Sequence, residues 1–149
     1  MRKKFHFGLL ALISSLFFIT GCENKERENG WYYVSDNQSK ELSEKPFMTT
    51  KDISEVSLET DNTGNSIIVF KLKKNGMKKL ENATDLSKGK YIAFFYDGTI
   101  ISMPLVNEKI SSEFMQITNS DSSLLKNVYN SLKKTNTDTK GRCVIIPKL

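Results

Sequence analysis

The chain has 149 residues, of which 22 are lysine or arginine and 17 are aspartate or glutamate, so its formal net charge is +5. Arg2, Lys3 and Lys4 supply three of these charges in a segment without acidic residues, 1–21, and the rest of the chain carries only +2. This balance argues against nucleic-acid binding, which needs a basic face on the folded part of a protein. The remaining length suits one domain and is too short for two separate cores.

Residues 1–21 have the pattern of a signal peptide. A basic start precedes an apolar run over 7–19, which is shorter than the roughly 20 residues of a transmembrane helix. The run ends in Ile19-Thr20-Gly21-Cys22, which resembles the bacterial lipobox, whose cysteine is lipidated and becomes the first residue of the mature chain. The sequence therefore predicts a lipoprotein held by Cys22 on the extracytoplasmic face of the cell membrane; a plain cleaved signal is the alternative. The polar residues 22–29 are predicted to be a flexible tether.

Histidine and cysteine usage limits the chemistry that is open to the mature chain. His6 is the only histidine and lies in the segment predicted to be removed, so Ser-His-Asp, Cys-His and His-containing zinc sites are excluded. With Cys22 lipidated, Cys143 has no disulfide partner, and its apolar neighbours predict a buried, unreactive thiol. We predict no catalytic residue, no metal site and no cofactor. A small cell-envelope hydrolase that uses carboxylates remains an alternative.

Beyond residue 30 the apolar pattern alternates between strand and helix periods. Strands are predicted at 31–34, 56–60, 67–72, 91–96, 99–101, 113–118 and 143–146. The Asp97-Gly98 pair predicts a type I′ hairpin turn, because both residues tolerate positive φ. Helices are predicted after Asn75 and after Asn119 or Ser120 as N-caps, and 135–140 as a polar loop. The whole predicts an α+β domain over 30–149, with an antiparallel or mixed sheet and two helices packed on one face.

An ordered series of short motifs carries a resemblance to a known family. The motifs are Lys45-Pro46-Phe47-Met48-Thr49, Asp52-Ile53, Val69-Phe70, Asn75-Gly76, Asp97-Gly98, Met103-Pro104, Val106-Asn107-Glu108-Lys109-Ile110 and Gln116-Ile117-Thr118. Together they resemble the first extracytoplasmic head of SecD/SecDF, an accessory subunit of the Sec protein-export channel. The resemblance implies the same α+β layout and a polypeptide partner. Ser111-Ser112-Glu113 departs from the family pattern, and without transmembrane helices proton-driven translocation is not implied.

Met103, Pro104, Leu105 and Val106 are the candidate contact site for a partner. They follow the second strand of the hairpin, where Pro104 cannot donate to a strand ladder. In one interpretation Leu105 and Val106 fold back and cap the core. In the other, Met103 and its neighbours form an adaptable apolar patch beside a free strand edge, which could bind an extended peptide.

The predicted function is a membrane-anchored, non-enzymatic module that binds polypeptide or an envelope protein, with a link to protein export. Besides the hydrolase, a lipoprotein that binds one dedicated partner is an alternative. The sequence leaves the oligomeric state open.

Overall fold

The computed structural model describes residues 26–36 and 38–140, and an α+β fold is confirmed. Its strands are β1 (Gly30–Asp36), β2 (Glu41–Leu42), β3 (Met48–Thr49), β4 (Ile53–Thr60), β5 (Ser66–Leu72), β6 (Ile92–Tyr96), β7 (Thr99–Ser102) and β8 (Phe114–Thr118). Its helices are α1 (Lys74–Leu86) and α2 (Ser122–Lys140), and a short 3₁₀ turn, Thr50–Asp52, joins β3 to β4. Within the described ranges, no helix combines the length and the apolar character that crossing a membrane requires.

The strands form two antiparallel sheets. In the five-stranded sheet, β1 pairs with β6 on one side and with both short strands, β2 and β3, on the other, while β7 extends the sheet beyond β6. In the three-stranded sheet, β5 lies between β4 and β8. The sequence predicted the longer strands, but it missed β2 and β3, because two-residue strands leave no periodic pattern.

The hairpin between β6 and β7 forms as predicted. Asp97 and Gly98 have φ values of 46° and 78°, the left-handed values that a type I′ turn requires. The hairpin of β4 and β5 is also confirmed, with Val56 paired to Phe70 and Leu58 to Ile68. Because side chains alternate across a strand, these four residues share the inner face of the three-stranded sheet.

A cluster of three aromatic rings joins the two sheets. Trp31 of β1 lies 4.4 Å from Phe94 of β6 and 5.1 Å from Phe70 of β5, measured between ring centroids, and Phe70 lies 5.5 Å from Phe94. Trp31 is only 2% exposed, so it packs in the core and is not a surface for stacking ligands. Both helices bury their apolar stripes against this same core through Leu80, Leu125, Val128 and Leu132.

Asp52 fixes the beginning of α1 against the 3₁₀ turn. Its carboxylate accepts hydrogen bonds from Lys79 Nζ at 2.8 and 3.0 Å, from the Thr49 amide at 3.1 Å and from Asn75 Nδ2 at 3.3 Å. Burial alone raises the pKa of Asp52, but these hydrogen bonds outweigh it and lower that pKa below the ordinary 3.8. Gly76 permits the close approach, since a Cβ there would lie 2.8 Å from the Asp52 carbonyl oxygen. The N-cap of α1 is Lys73, so the prediction of Asn75 was wrong; Asn75 lies inside the first turn.

The N-cap of α2 is Asp121, and the prediction of Asn119 or Ser120 was wrong. Asp121 Oδ1 accepts hydrogen bonds from the amides of Ser123 at 2.9 Å and Leu124 at 3.0 Å. The Asn119 side chain does not bond to the helix amides that need a cap, because its Oδ1 accepts a hydrogen bond from the Asp121 amide at 2.8 Å. It therefore shapes the loop before the helix instead of capping it.

The predicted loop at 135–140 is also wrong, because α2 continues to Lys140. Neither glycine nor proline interrupts this stretch, and the Thr135 hydroxyl donates to the Ser131 carbonyl oxygen at 3.1 Å, as threonine can in a helix. The strand predicted at 143–146 lies outside the described residues.

Candidate functional site

The segment after β7 continues the β6–β7 hairpin past Pro104. The Ile92 amide donates to the Pro104 carbonyl oxygen at 3.2 Å, and Leu105 forms an isolated antiparallel bridge with Tyr91. The Val106 amide then donates to the Lys90 carbonyl oxygen at 2.8 Å. Pro104 accepts a hydrogen bond through its carbonyl and lacks only the donor, so the ladder tolerates it at this edge. The backbone here is ordered by pairing, and the segment is less irregular than the proline suggested.

The side chains of the candidate contact residues divide between core and surface. Val106 is only 4% exposed and belongs to the core, as the capping interpretation required. Leu105, in contrast, is 45% exposed, Pro104 is exposed and Met103 is half-buried. Val106 is therefore buried, and among the four candidate contact residues Met103, Pro104 and Leu105 are the ones that present side-chain surface to solvent.

Leu86 adds an exposed apolar side chain at the same end of the molecule. It is the last residue of α1 and is 74% exposed. Three residues later, the Gly89 amide donates to the Val106 carbonyl oxygen at 2.8 Å, which places the helix end beside the extended hairpin. The helical period could have identified Leu86, because it lies about 120° away from the buried Leu80 around the helix axis. We call Leu86, Met103, Pro104 and Leu105 the apolar end.

Strand β7 leaves one side of its backbone unpaired by any described strand. It pairs with β6 alone, and an irregularity at Ile101 breaks the register between the two strands. Asn119 Nδ2 donates to the Ile101 carbonyl oxygen at 2.6 Å and so occupies one acceptor of this strand. An extended peptide could therefore pair with β7 between the Asp97-Gly98 turn and Ile101. To pair further along the strand it would have to displace Asn119.

Both acidic side chains of α1 are engaged in ion pairs. Glu81 lies 2.7 Å from Lys109, and Asp85 lies 2.7 Å from Lys88. Hydrogen bonds from these lysines are the main cause that lowers the pKa of each carboxyl. A catalytic acid needs the opposite shift, towards neutral pH. Among the described residues, no group of three or more potential metal ligands comes together.

Residues 26–29, assigned to the tether from sequence, lie on the five-stranded sheet. The Arg27 guanidinium donates to the Ser43 carbonyl oxygen at 2.7 Å and lies 5.2 Å from the centroid of the Tyr32 ring and 5.9 Å from that of Phe95. The Tyr32 hydroxyl donates to the Glu28 carbonyl oxygen. This part of the chain is thus held by the domain. Nothing in its composition indicated this, because the contacts depend on residues distant in sequence. Cys22 and Cys143 lie outside the described residues.

Solved structures establish the class of domain. A structure described as a membrane component SecDF that enhances protein export matches with a TM-score of 0.56 at 22% identity, covering 62% of this chain and 42% of that one. The crystal structure of SecDF from Thermus thermophilus, described as a translocon-associated membrane protein, matches with a TM-score of 0.51 at 19% identity, covering 66% of this chain and 14% of that one. At such identities the likeness shows the fold.

Sequence comparison then gives the family. Residues 28–125, about two thirds of the chain, match the model of the SecDF P1 head subdomain, and the chain belongs to this family. The protein translocase subunit SecD of Acidaminococcus fermentans is 28% identical over 81 residues, covering 54% of this chain. The matched part is 19% of that relative's length. The resemblance inferred from the short motifs is confirmed.

Proposed function

We propose that the protein is a lipid-anchored, non-enzymatic module of the cell envelope that binds extended polypeptide during or after export. The relatives are a translocase subunit and a membrane component that enhances protein export, which supports a role beside the export machinery. The lipid on Cys22 would hold the domain at the extracytoplasmic face of the cell membrane. The pKa values of Glu81 and Asp85 are lowered, which is the opposite of what a general acid needs, so these two carboxylates do not support the hydrolase alternative.

The observation that carries the proposal is the position of the apolar end directly after β7, a strand whose second edge carries the Asn119 side chain at Ile101. Leu105 and Leu86 are two of the three large apolar side chains that are well exposed among the described residues. Leu105 belongs to the extended hairpin, and Leu86 lies three residues before Gly89, whose amide bonds to that hairpin. Apolar contacts at this end, and main-chain hydrogen bonds to β7 once Asn119 is displaced from Ile101, would together bind an extended chain with little demand on its sequence. Met103 suits such a surface because its unbranched side chain can repack against different partners.

Substitution of Leu105 tests the surface directly. Half of this side chain is already exposed, so Leu105→Asp should leave thermal stability nearly unchanged. If the remaining apolar surface becomes buried on binding, its loss should weaken capture of an unfolded model polypeptide by about fivefold, or about 1 kcal/mol. Met103→Asp should also weaken capture.

Phe114 provides a matched control. It is 49% exposed, a large apolar side chain like Leu105, but it belongs to β8 of the other sheet. Phe114→Asp should leave capture intact. Equal loss of capture in the Phe114 and Leu105 variants would mean that apolar surface acts without a defined site, and unchanged capture in both would place the contact elsewhere.

Crosslinking in intact cells separates the possible partners. Capture of many unrelated exported chains at the apolar end supports the general binding role. Capture of one protein supports a dedicated partner instead, and capture of Sec channel components supports an export accessory.

A further inference from the structure

The segment 26–29 makes hydrogen bonds, cation–π contacts and an ion pair with the domain within four residues. Besides the contacts of Arg27, the Glu28 carboxylate lies 3.0 Å from Lys51 Nζ, and the Asp97 amide donates to Asn29 Oδ1 at 2.8 Å. Together the contacts join this segment to β1, to the residues after β2, to the 3₁₀ turn and to the β6–β7 hairpin. We call 26–29 the latch, because together these contacts hold it across one face of the five-stranded sheet.

The latch lies on the outer face of that sheet. Trp31 and Phe94 are paired across β1 and β6 and point into the core, so the alternation of side chains puts Tyr32 and Phe95 on the opposite side. The Arg27 guanidinium lies over both of these rings, an arrangement that arginine favours because its planar, weakly hydrated cation stacks on aromatic faces. The contact with Ser43 ties it also to the segment after β2.

The latch and the apolar end occupy opposite ends of β6. Asn29 bonds to Asp97 just beyond the last residue of β6, whereas Leu105 pairs with Tyr91 just before the first. Six residues of extended chain separate Tyr91 from Asp97, which corresponds to about 20 Å. The chain therefore enters the domain at the turn end of the hairpin, far from the apolar end.

We propose that the latch orients the domain on the membrane, with the outer face and turn end directed towards the lipid headgroups and the apolar end directed away. This inference rests on the lipid anchor at Cys22, which is part of the proposed function. Only four residues lead from Cys22 to Glu26, so the latched domain lies within about 14 Å of its anchor. A released latch would double that reach, to about 28 Å at Gly30, and would let the domain turn freely.

The orientation can be measured by energy transfer to the membrane. The lipidated protein is placed in phosphatidylcholine–phosphatidylglycerol vesicles that carry an acceptor dye on their headgroups. A donor dye is attached at Thr99→Cys, beside the turn, or at Asn107→Cys, beside the apolar end; both positions are exposed. Cys143→Ala in the background leaves a single reactive thiol, because Cys22 is acylated. Since the two ends of the strand differ by about 20 Å, transfer from Thr99 should exceed transfer from Asn107 by at least about twofold.

Arg27→Ala tests the latch itself. Loss of the guanidinium should bring the ratio of the two transfers close to one, while the fluorescence of Trp31 shows that the domain remains folded. Lys45→Ala removes the same charge from an exposed side chain nearby and should leave the ratio unchanged.

The outcomes distinguish this inference from the proposed function. Protein that fails to sediment with vesicles overturns the lipid anchor and the orientation together. Protein that sediments but gives equal transfer from Thr99 and Asn107 overturns the orientation alone. An unequal ratio that survives Arg27→Ala overturns the role of Arg27, and one that also survives Glu28→Ala and Asn29→Ala in the same chain overturns the latch.

Discussion

Asp52→Asn should destabilise the domain by about 2 kcal/mol at neutral pH, because it removes the charge that organises the start of α1. The carboxylate is 7% exposed and accepts from a lysine, an amide and an asparagine. An asparagine has the same shape and keeps one acceptor oxygen. Its NH₂ group, however, is a donor and would face one of the N–H donors that now bond to the carboxylate. The cost stays below the 3–5 kcal/mol of a fully buried broken pair, since Lys79 is 38% exposed and can regain water.

The pH dependence gives this prediction a second test. Because the folded-state pKa of Asp52 is lowered, its contribution to stability is complete above the unfolded value of 3.8 and disappears as pH falls through the lower folded value. The difference in unfolding free energy between the wild type and Asp52→Asn should therefore be constant from about pH 7 to about pH 5 and shrink below about pH 4.

Urea unfolding followed by fluorescence of Trp31, the single tryptophan, measures both effects. Asp85→Asn is the matched control, since it removes an equivalent charge from α1 where the carboxylate and its lysine are both half exposed; it should change stability little. A penalty for Asp52→Asn that equals the penalty of the control, or that persists undiminished at low pH, would refute the role assigned to this carboxylate.

Three further predictions concern single residues. Gly76→Ala, which stabilises most helices, should here cost about 1–3 kcal/mol in urea unfolding, because the new Cβ meets the Asp52 carbonyl oxygen at 2.8 Å; a stabilised variant would show that the approach is not tight. Asp121→Ala should cost about 1 kcal/mol in the same assay and Ser120→Ala almost nothing, since only Asp121 caps α2; the reverse order would restore the cap predicted from sequence. Cys22→Ser should release the protein from membranes or block its processing, and unchanged partitioning and mass would contradict lipidation.

The sequence was sufficient to predict those turns and strands whose geometry depends on neighbouring residues alone. The Asp97-Gly98 turn was predictable because its backbone requirement is met by two adjacent residues. The cap of α2 was not, since Asn119, Ser120 and Asp121 are all good capping residues and only the hydrogen bonds from the helix amides to Asp121 in the folded chain decide between them.

The candidate site shows the same limit. The sequence identified Leu105 and Val106 as apolar residues after an interrupted strand, but pairing with Tyr91 and Lys90 determines that one is exposed and the other buried. The latch was hidden for a similar reason. Arg27 lies in a polar stretch typical of a tether, and its partners become neighbours only when the sheet forms.

The distribution of strands between the two sheets has a consequence for how the domain can fold. The chain contributes β1–β3 to the first sheet and β4–β5 to the second, returns to the first with β6–β7 and completes the second with β8. Neither sheet can be assembled from one continuous stretch, so both must wait for late parts of the chain, and such long-range pairing is slow. A chain that stops at residue 112 would leave β5 with an uncovered edge and should show no cooperative urea transition. The domain is therefore a single folding unit that cannot be divided at either sheet.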